Sequence, residues 1–266
     1  MSTIPVARSS RSCREIAVEA VKRAGEILRE EFRSEKRVSQ KSQGNLVTDI
    51  DVLADKKIAE LLKVEYPELQ ILSEELAPSS PISDYTWVVD PLDGTNNYVF
   101  GVPFFCVNVA LVKGDKVFVG VTYDPLRDEL FVAELGSGAY LNGSKVQVSQ
   151  ENLLQKALVG LDLGYDRERG RELLTVASEL WWQVHCLRLL GSASLGLAYV
   201  ACGRFNLYIH RFLYPWDIAS GLLLVAEAGG RVVDWEGKPA GLLSQEVIAG
   251  NGELCEEFIS RYVRKK

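Results

Sequence analysis

Pairs of carboxylates in this sequence stand where a divalent cation could be bound. Asp90 and Asp93 lie three residues apart, directly after an apolar segment that we interpret as a strand, and the loops at strand ends commonly carry function. Gly94 permits a tight turn, and Thr95 begins a predicted short helix whose N–H groups would face an anion. Glu74 lies 16 residues before Asp90. Because Mg²⁺, Mn²⁺ and Ca²⁺ all prefer oxygen ligands, these acids are candidate metal ligands.

Two further acids stand at predicted helix starts. Asp217 lies in the first turn of one helix, and Asp51 follows Thr48 at the spacing of a capping box in another. Each acidic segment also has a purely structural explanation: a turn at Asp93, a solvated acidic face at Glu74, and helix starts at the other two. Taken singly, these explanations are good, and only the combination favours a functional site.

The composition limits the kinds of site and partner. The 266 residues include two histidines, His185 and His210, and five cysteines without a C-x-x-C spacing. A His-rich zinc site is therefore excluded, and oxygen ligands must hold most of any bound metal. A net charge of −6 argues against a broad nucleic-acid-binding surface, and the odd cysteine count favours a reduced, cytoplasmic protein. No segment approaches the roughly 18 consecutive apolar residues of a membrane span.

Apolar periodicity predicts helices and strands in layers. The predicted helices cover residues 12–32, 48–66, 168–180, 192–201, 216–228 and 253–263. The predicted strands cover residues 70–73, 85–90, 104–112, 116–123, 130–134, 139–141, 184–190, 205–209, 231–235 and 246–249. The polar segment 34–47 is predicted to be a mobile loop. Strands stacked against helices throughout the chain indicate a layered α/β or α+β fold.

The order of these segments resembles the inositol monophosphatase family of metal-dependent, lithium-sensitive phosphatases. The likeness runs roughly from Ile16 to Gly252 and rests chiefly on Asp-Pro-Leu-Asp-Gly-Thr at residues 90–95 and on Trp216-Asp217. It implies alternating layers of helices and sheets. In residues 1–150 we expect the larger antiparallel sheet and most metal ligands, and in residues 151–266 a smaller sheet that completes the active site. The resemblance also implies a homodimer.

The resemblance assigns roles to individual residues of this chain. Positions that match the family's metal ligands are Glu74, Asp90, the Leu92 carbonyl, Asp93 and Asp217. They would hold about two to three Mg²⁺ ions, with Mn²⁺ as a substitute. The implied reaction is direct phosphoryl transfer to an activated water, with catalytic roles for Asp51, Thr95 and Glu74. Positions that match substrate-binding residues are Lys41, Asp93, Gly94, Thr95, Gly191, Ser192, Ala193, His210 and Asp217.

One position departs from the family pattern. Many inositol phosphatases have an acid seven residues before the Trp-Asp aspartate, where it binds substrate hydroxyls, and this chain has His210 there. A histidine cannot replace an ionised carboxylate, so strict inositol specificity is not expected. We predict hydrolysis of a small phosphorylated polyol or sugar, foremost inositol monophosphate. The alternatives within the class are fructose 1,6-bisphosphate, nucleotide 3′-phosphates and histidinol phosphate. The alternative from another class is a non-catalytic regulatory protein, against which the complete ligand set argues.

Overall fold

The first half of the chain forms two long helices, a hairpin and a large sheet. The computed structural model describes residues 4–76, 82 and 84–264. The first helix begins after Ser12, as predicted, with a capping box of Ser12 and Glu15, and Thr48 and Asp51 form the predicted capping box of the second. The elements are α1 (Cys13–Glu31), β1 (Val38–Ser42), β2 (Asn45–Thr48), α2 (Asp49–Glu65), β3 (Gln70–Ser73), β4 (Tyr85–Asp93), α3 (Thr95–Val99), β5 (Cys106–Lys113), β6 (Lys116–Asp124), β7 (Glu129–Glu134), β8 (Gly138–Leu141) and β9 (Ser144–Val146).

The second half alternates strands with helices. A short 3₁₀ turn covers Leu154–Lys156, and a π-helical turn, Ile259–Val263, follows the last helix. The elements are β10 (Leu158–Asp162), α4 (Arg167–Leu180), β11 (Cys186–Leu189), α5 (Ala193–Ala201), β12 (Leu207–His210), α6 (Pro215–Glu227), β13 (Arg231–Val233), β14 (Val247–Gly250) and α7 (Gly252–Phe258).

Two sheets and three helical layers alternate through the molecule. The larger sheet has the strand order β3-β4-β5-β6-β7-β8-β9 and is antiparallel except for the β3–β4 pair, whereas the smaller sheet has the mixed order β11-β10-β12-β14-β13. One core joins α1 and α2 to the larger sheet, and a second joins the opposite face of that sheet to α5, α6 and the smaller sheet. A third core joins α4 and α7 to the far face of the smaller sheet. The predicted layered sandwich is confirmed.

The central strands β4, β5 and β6 of the larger sheet are buried on both faces, and the side chains of β5 alternate between the two cores. Val107, Val109 and Leu111 belong to the α1/α2 core. Cys106 and Ala110 belong to the core under α5 and α6. This alternation is the two-residue period of a strand. Polar side chains on either face are therefore covered and must find partners inside the protein.

The predicted helices and strands are all present, with ends shifted by a few residues, but three segments differ from expectation: the hairpin β1–β2 and the strands β9 and β10, none of which was predicted. Residues 34–47 were expected to be a mobile loop, whereas β1 and β2 pair there as an antiparallel hairpin. The first strand of this hairpin, β1, is exposed and buries no apolar face. Its sequence therefore lacks the alternation of apolar residues that would have predicted a strand. The strand β10 was not predicted, because Gly160 interrupts its short apolar run. A Cβ at Gly160 would lie 2.4 Å from the Phe205 ring, so the close packing itself requires glycine.

No helix within residues 4–76 and 84–264 is both long and apolar enough to cross a bilayer. The proposed division into residues 1–150 and 151–266 falls between β9 and the 3₁₀ turn and stays a prediction.

Candidate functional site

Three of the predicted carboxylates converge at the end of β4. One oxygen from each of Asp90, Asp93 and Asp217 lies within 4.8 Å of the others. In a regular strand, residues three apart point to opposite faces. Here the pairing register shifts, because Asp90 is opposite Asn108 and Asp93 is opposite Cys106, two residues away. This bulge brings both aspartates to the face covered by α6, which supplies Asp217.

Hydrogen bonds satisfy only part of this cluster. Asp93 Oδ2 accepts from Ser192 Oγ at 2.5 Å and from Ser194 N at 2.8 Å. Asp217 Oδ2 accepts from Tyr214 N at 2.7 Å. Asp90 Oδ1 accepts from Leu92 N at 3.0 Å, but its buried Oδ2 has no partner in the described part of the chain.

Burial raises the pKa of each of these three aspartates, and the repulsion between neighbouring carboxylates raises the pKa values of Asp90 and Asp217 further. A buried group of anions is stable only if a cation or protons neutralise it. The orphaned Asp90 oxygen and the all-oxygen donor set fit a hard divalent cation, so the residues present suit Mg²⁺.

Glu74 lies at the same cavity but outside the group of three. Lys41 Nζ is 2.9 Å from Glu74 Oε1 and 2.5 Å from Glu75 Oε1. All three side chains are mostly buried. Burial raises the pKa of Glu74, and the Lys41 charge opposes that rise. Lys41 of the hairpin β1–β2 thus places its positively charged ammonium group against Glu74, one of the predicted metal ligands.

Thr95 and Asp51, which the family resemblance implies are catalytic, are in contact. Thr95 Oγ1 lies 3.1 Å from Asp51 Oδ1 and 3.0 Å from the Leu92 carbonyl oxygen. Asp51 Oδ2 also accepts from the Thr48 hydroxyl and, at 3.0 Å, from Thr48 N. Burial raises the pKa of Asp51 to about 6, and the Thr48 hydrogen bonds oppose that rise. Asp51 therefore caps α2 and contacts Thr95 at the same time, and its catalytic role stays a prediction.

Glycine is required at position 94 for two reasons. Gly94 has φ of +91°, and a Cβ there would lie 3.0 Å from Phe104 O and 3.2 Å from Gly191 O. The turn therefore brings the start of α3 against the turn that precedes α5. Gly191, Ser192 and Ala193 form that second turn and line the same cavity.

Asp162 supports the second turn and was not found by sequence reasoning. Its Oδ1 accepts from Leu190 N at 3.0 Å and Gly191 N at 2.6 Å, and its Oδ2 accepts from Tyr208 Oη at 2.8 Å. Burial raises the pKa of Asp162 to about 7 even though these hydrogen bonds favour the charged form. The signal was available, because Asp162 follows a short apolar run as Asp90 does, but β10 itself was missed.

The cavity between the two halves has a volume of about 360 Å³. His210 lines it from the end of β12 and is buried. Burial lowers the pKa of His210 to about 3, and its Nδ1 accepts from Phe212 N at 3.1 Å. The imidazole is therefore neutral near pH 7, with its proton on Nε2. Aromatic side chains complete the wall: Trp216 of the Trp-Asp motif, and three that sequence reasoning did not single out, Tyr165, Phe212 and Tyr214.

Known proteins are similar to this chain in sequence. The model of the inositol monophosphatase family matches residues 9–266. Inositol monophosphatase 2 of Solanum lycopersicum is 40% identical over 92% of this chain and 96% of its own. Nus factor SuhB of Xylella fastidiosa is 41% identical over 89% of each chain, and the fructose-1,6-bisphosphatase/inositol-1-monophosphatase of Aquifex aeolicus is 34% identical over 94% of this chain and 95% of its own.

A solved structure is also similar to this protein. The extragenic suppressor protein suhB from Bartonella henselae superposes with a TM-score of 0.89 at 35% identity, covering 94% of this chain and 98% of its own. The chain therefore belongs to the inositol monophosphatase family, whose members are metal-dependent hydrolases of phosphate monoesters.

Proposed function

We propose that this phosphatase requires Mg²⁺ and acts on small phosphate monoesters, with inositol monophosphate among its substrates. The observation that carries the proposal is the convergence of Asp90, Asp93 and Asp217 around a buried Asp90 oxygen that has no partner in the described structure. Such a group of anions needs a cation, and oxygen ligands favour Mg²⁺, with Mn²⁺ as a substitute.

The ligands in this proposal are Asp90, Asp93, Asp217, Glu74 and the Leu92 carbonyl, for about two to three ions. Bound Mg²⁺ supplies a water of lowered pKa and neutralises charge on the phosphoryl oxygens. Glu74 would have to exchange its contact with Lys41 for the cation, because the two are paired at 2.9 Å. By the family resemblance, Li⁺ should inhibit by occupying one of these positions.

Thr95 and Asp51 would orient the attacking water. The Thr95 hydroxyl has one proton and two acceptors in reach, Asp51 Oδ1 and the Leu92 carbonyl. When that proton is donated to Asp51, a lone pair of Thr95 Oγ1 is available to accept from a water. With a pKa of about 6, Asp51 is mostly ionised at neutral pH and can accept this bond. The N–H groups of Gly94 and Thr95, at the start of α3, would receive the phosphate.

The leaving group would lie against the turn at Gly191-Ser192-Ala193 and against His210. A neutral imidazole whose free nitrogen is a donor cannot accept two hydroxyl protons as an ionised acid would. We therefore infer a permissive enzyme that accepts several small phosphate esters. Fructose 1,6-bisphosphate is the second candidate substrate, because the Aquifex aeolicus relative is named for both activities.

A regulatory, non-catalytic role is the alternative from another class, since one relative is named a Nus factor. The complete set of candidate ligands and the contact between Thr95 and Asp51 favour catalysis. We also infer a cytoplasmic homodimer. Five free cysteines suit a reducing compartment, and the exposed Trp181 and Trp182, at 57% and 82%, offer apolar surface for self-association. Light scattering during gel filtration would measure the oligomeric state.

The deciding experiment measures kcat/KM for a panel of phosphate esters. Inositol 1-phosphate, glycerol 2-phosphate, fructose 1,6-bisphosphate, a nucleoside 3′-phosphate and histidinol phosphate would each be tested with Mg²⁺ and with excess chelator. We expect turnover of several esters with Mg²⁺ and none with chelator. Full turnover in chelator would refute the metal requirement, and no turnover of any ester with either Mg²⁺ or Mn²⁺ would favour the regulatory alternative.

A further inference from the structure

A row of three polar side chains crosses the middle of the larger sheet beneath the candidate site. Asp90 on β4 is directly opposite Asn108 on β5, and Asn108 is directly opposite Thr122 on β6. Residues directly opposite each other in a sheet point to the same face. All three are buried, with exposures of 1%, 2% and 0%. The face they share is the one covered by α5 and α6.

Asn108 is the centre of a buried hydrogen-bond network. Its Nδ2 donates to Ser194 Oγ at 2.6 Å. Its Oδ1 accepts from Thr122 Oγ1 at 2.7 Å and from Ser220 Oγ at 3.2 Å, and those two hydroxyls lie 2.8 Å apart. One side chain of β5 therefore binds α5 through Ser194 and α6 through Ser220.

The network reaches two of the three clustered aspartates. Ser194 donates its backbone N–H to Asp93 Oδ2 at 2.8 Å and its hydroxyl to the Asp217 carbonyl at 2.9 Å. Ser220 lies three residues after Asp217 on α6, so both are on one side of that helix. With Asp90 opposite Asn108 in the sheet, every aspartate of the cluster is linked to Asn108: Asp90 by register, and the Asp93 carboxylate and the Asp217 backbone carbonyl through Ser194.

We propose that Asn108 is a positioning residue for the cation site, which fixes α5 and α6 on the sheet so that Asp90, Asp93 and Asp217 converge. The inference rests on the proposed metal dependence. Packing on this face of β5 does not by itself require an amide at position 108, because the neighbouring positions on the same face, Cys106 and Ala110, belong to an apolar core. Residues that orient metal ligands typically change metal affinity by about 10–100-fold when they are lost.

The test compares Asn108→Leu with Val109→Ala, its neighbour on the opposite face of β5. Val109 is buried against α1 and α2, so its truncation should lower the melting temperature without touching the network. Two quantities would be measured: the rise in Tm as Mg²⁺ is added to metal-free protein, and the Mg²⁺ concentration for half-maximal hydrolysis of glycerol 2-phosphate. For Asn108→Leu we expect both titrations to shift about 10–100-fold to higher Mg²⁺. For Val109→Ala we expect shifts of less than about twofold, because no hydrogen bond to the site changes.

A second pair keeps the test decisive if Asn108→Leu does not fold. Thr122→Val removes one hydroxyl from the network at nearly constant volume, whereas Thr122→Ser retains it. We expect Thr122→Val to need more Mg²⁺ for half-saturation and Thr122→Ser to match the wild type. Equal Mg²⁺ titrations within both pairs would overturn the positioning role while leaving the phosphatase proposal intact. A wild type whose Tm and activity do not respond to Mg²⁺ would overturn the proposed metal dependence, and this inference with it.

Discussion

Replacing Asp162 by asparagine should change how the stability of the protein depends on pH. Asp162 is buried beneath the Gly191 turn, and its pKa lies at about 7 instead of 3.8. Between these values the folded protein binds a proton more tightly than the unfolded chain does. The free energy of unfolding therefore falls as pH rises from about 4 to about 7. At about 1.4 kcal/mol per pKa unit, the ionised carboxylate costs the folded state about 4 kcal/mol.

In Asp162→Asn, the new side chain has nearly the same shape as aspartate, but it does not titrate. Its amide oxygen can still accept from Leu190 N and Gly191 N, and the Tyr208 hydroxyl can rotate to accept from the new amide N–H. We expect the difference in unfolding free energy, variant minus wild type, to grow by about 1.4 kcal/mol per pH unit between roughly pH 4.5 and 7 and then to level off.

Urea unfolding in metal-free buffer at half-unit pH intervals from 4.5 to 8.5 would measure this difference. Other titrating groups are shared by the two proteins and cancel to first order. Asp162→Ala is the matched control, because it also removes the charge but leaves Leu190 N and Gly191 N without their acceptor. The alanine variant should also have a lower kcat/KM, since the unsupported turn at Gly191 lines the cavity. A difference between wild type and the asparagine variant that stays constant across the pH range would refute the raised pKa of Asp162.

Three further substitutions test the site. Asp217→Asn should lower kcat by at least about 10²-fold, because a proposed metal ligand is lost. It should also raise Tm in metal-free buffer, because one of several repelling charges is gone. Near-normal kcat at saturating Mg²⁺ would remove Asp217 from the ligand set. His210→Glu should raise kcat/KM for inositol 1-phosphate relative to glycerol 2-phosphate, whereas His210→Gln serves as the uncharged control, and an unchanged ratio would exclude a contact between residue 210 and substrate hydroxyls. Gly94→Ala should lower Tm and kcat together, since φ is +91° and Phe104 O is 3.0 Å from the new Cβ; wild-type values for both would contradict the tight turn.

Sequence reasoning succeeded where a local pattern determines the structure. Helix starts at Ser12 and Thr48 depend on capping residues within one turn, so they could be predicted from neighbours alone. Asp90 could be identified because it ends an apolar strand. The bulge that turns Asp93 to the same face as Asp90 could not, because it is defined only by pairing with β5.

Asn108 shows why the remainder of the site required the fold. In the sequence it alternates with Val107 and Val109, which is the pattern of a strand with one face in water. In the structure that face is not in water, because α5 and α6, 85 to 119 residues later in the chain, cover it. Once both faces of the sheet are known to be buried, a polar residue on β5 must be hydrogen-bonded inside the protein. Asn108 binds Ser194, which in turn binds the Asp93 carboxylate and the Asp217 carbonyl, so the burial of one asparagine points to the proposed support of the candidate metal site.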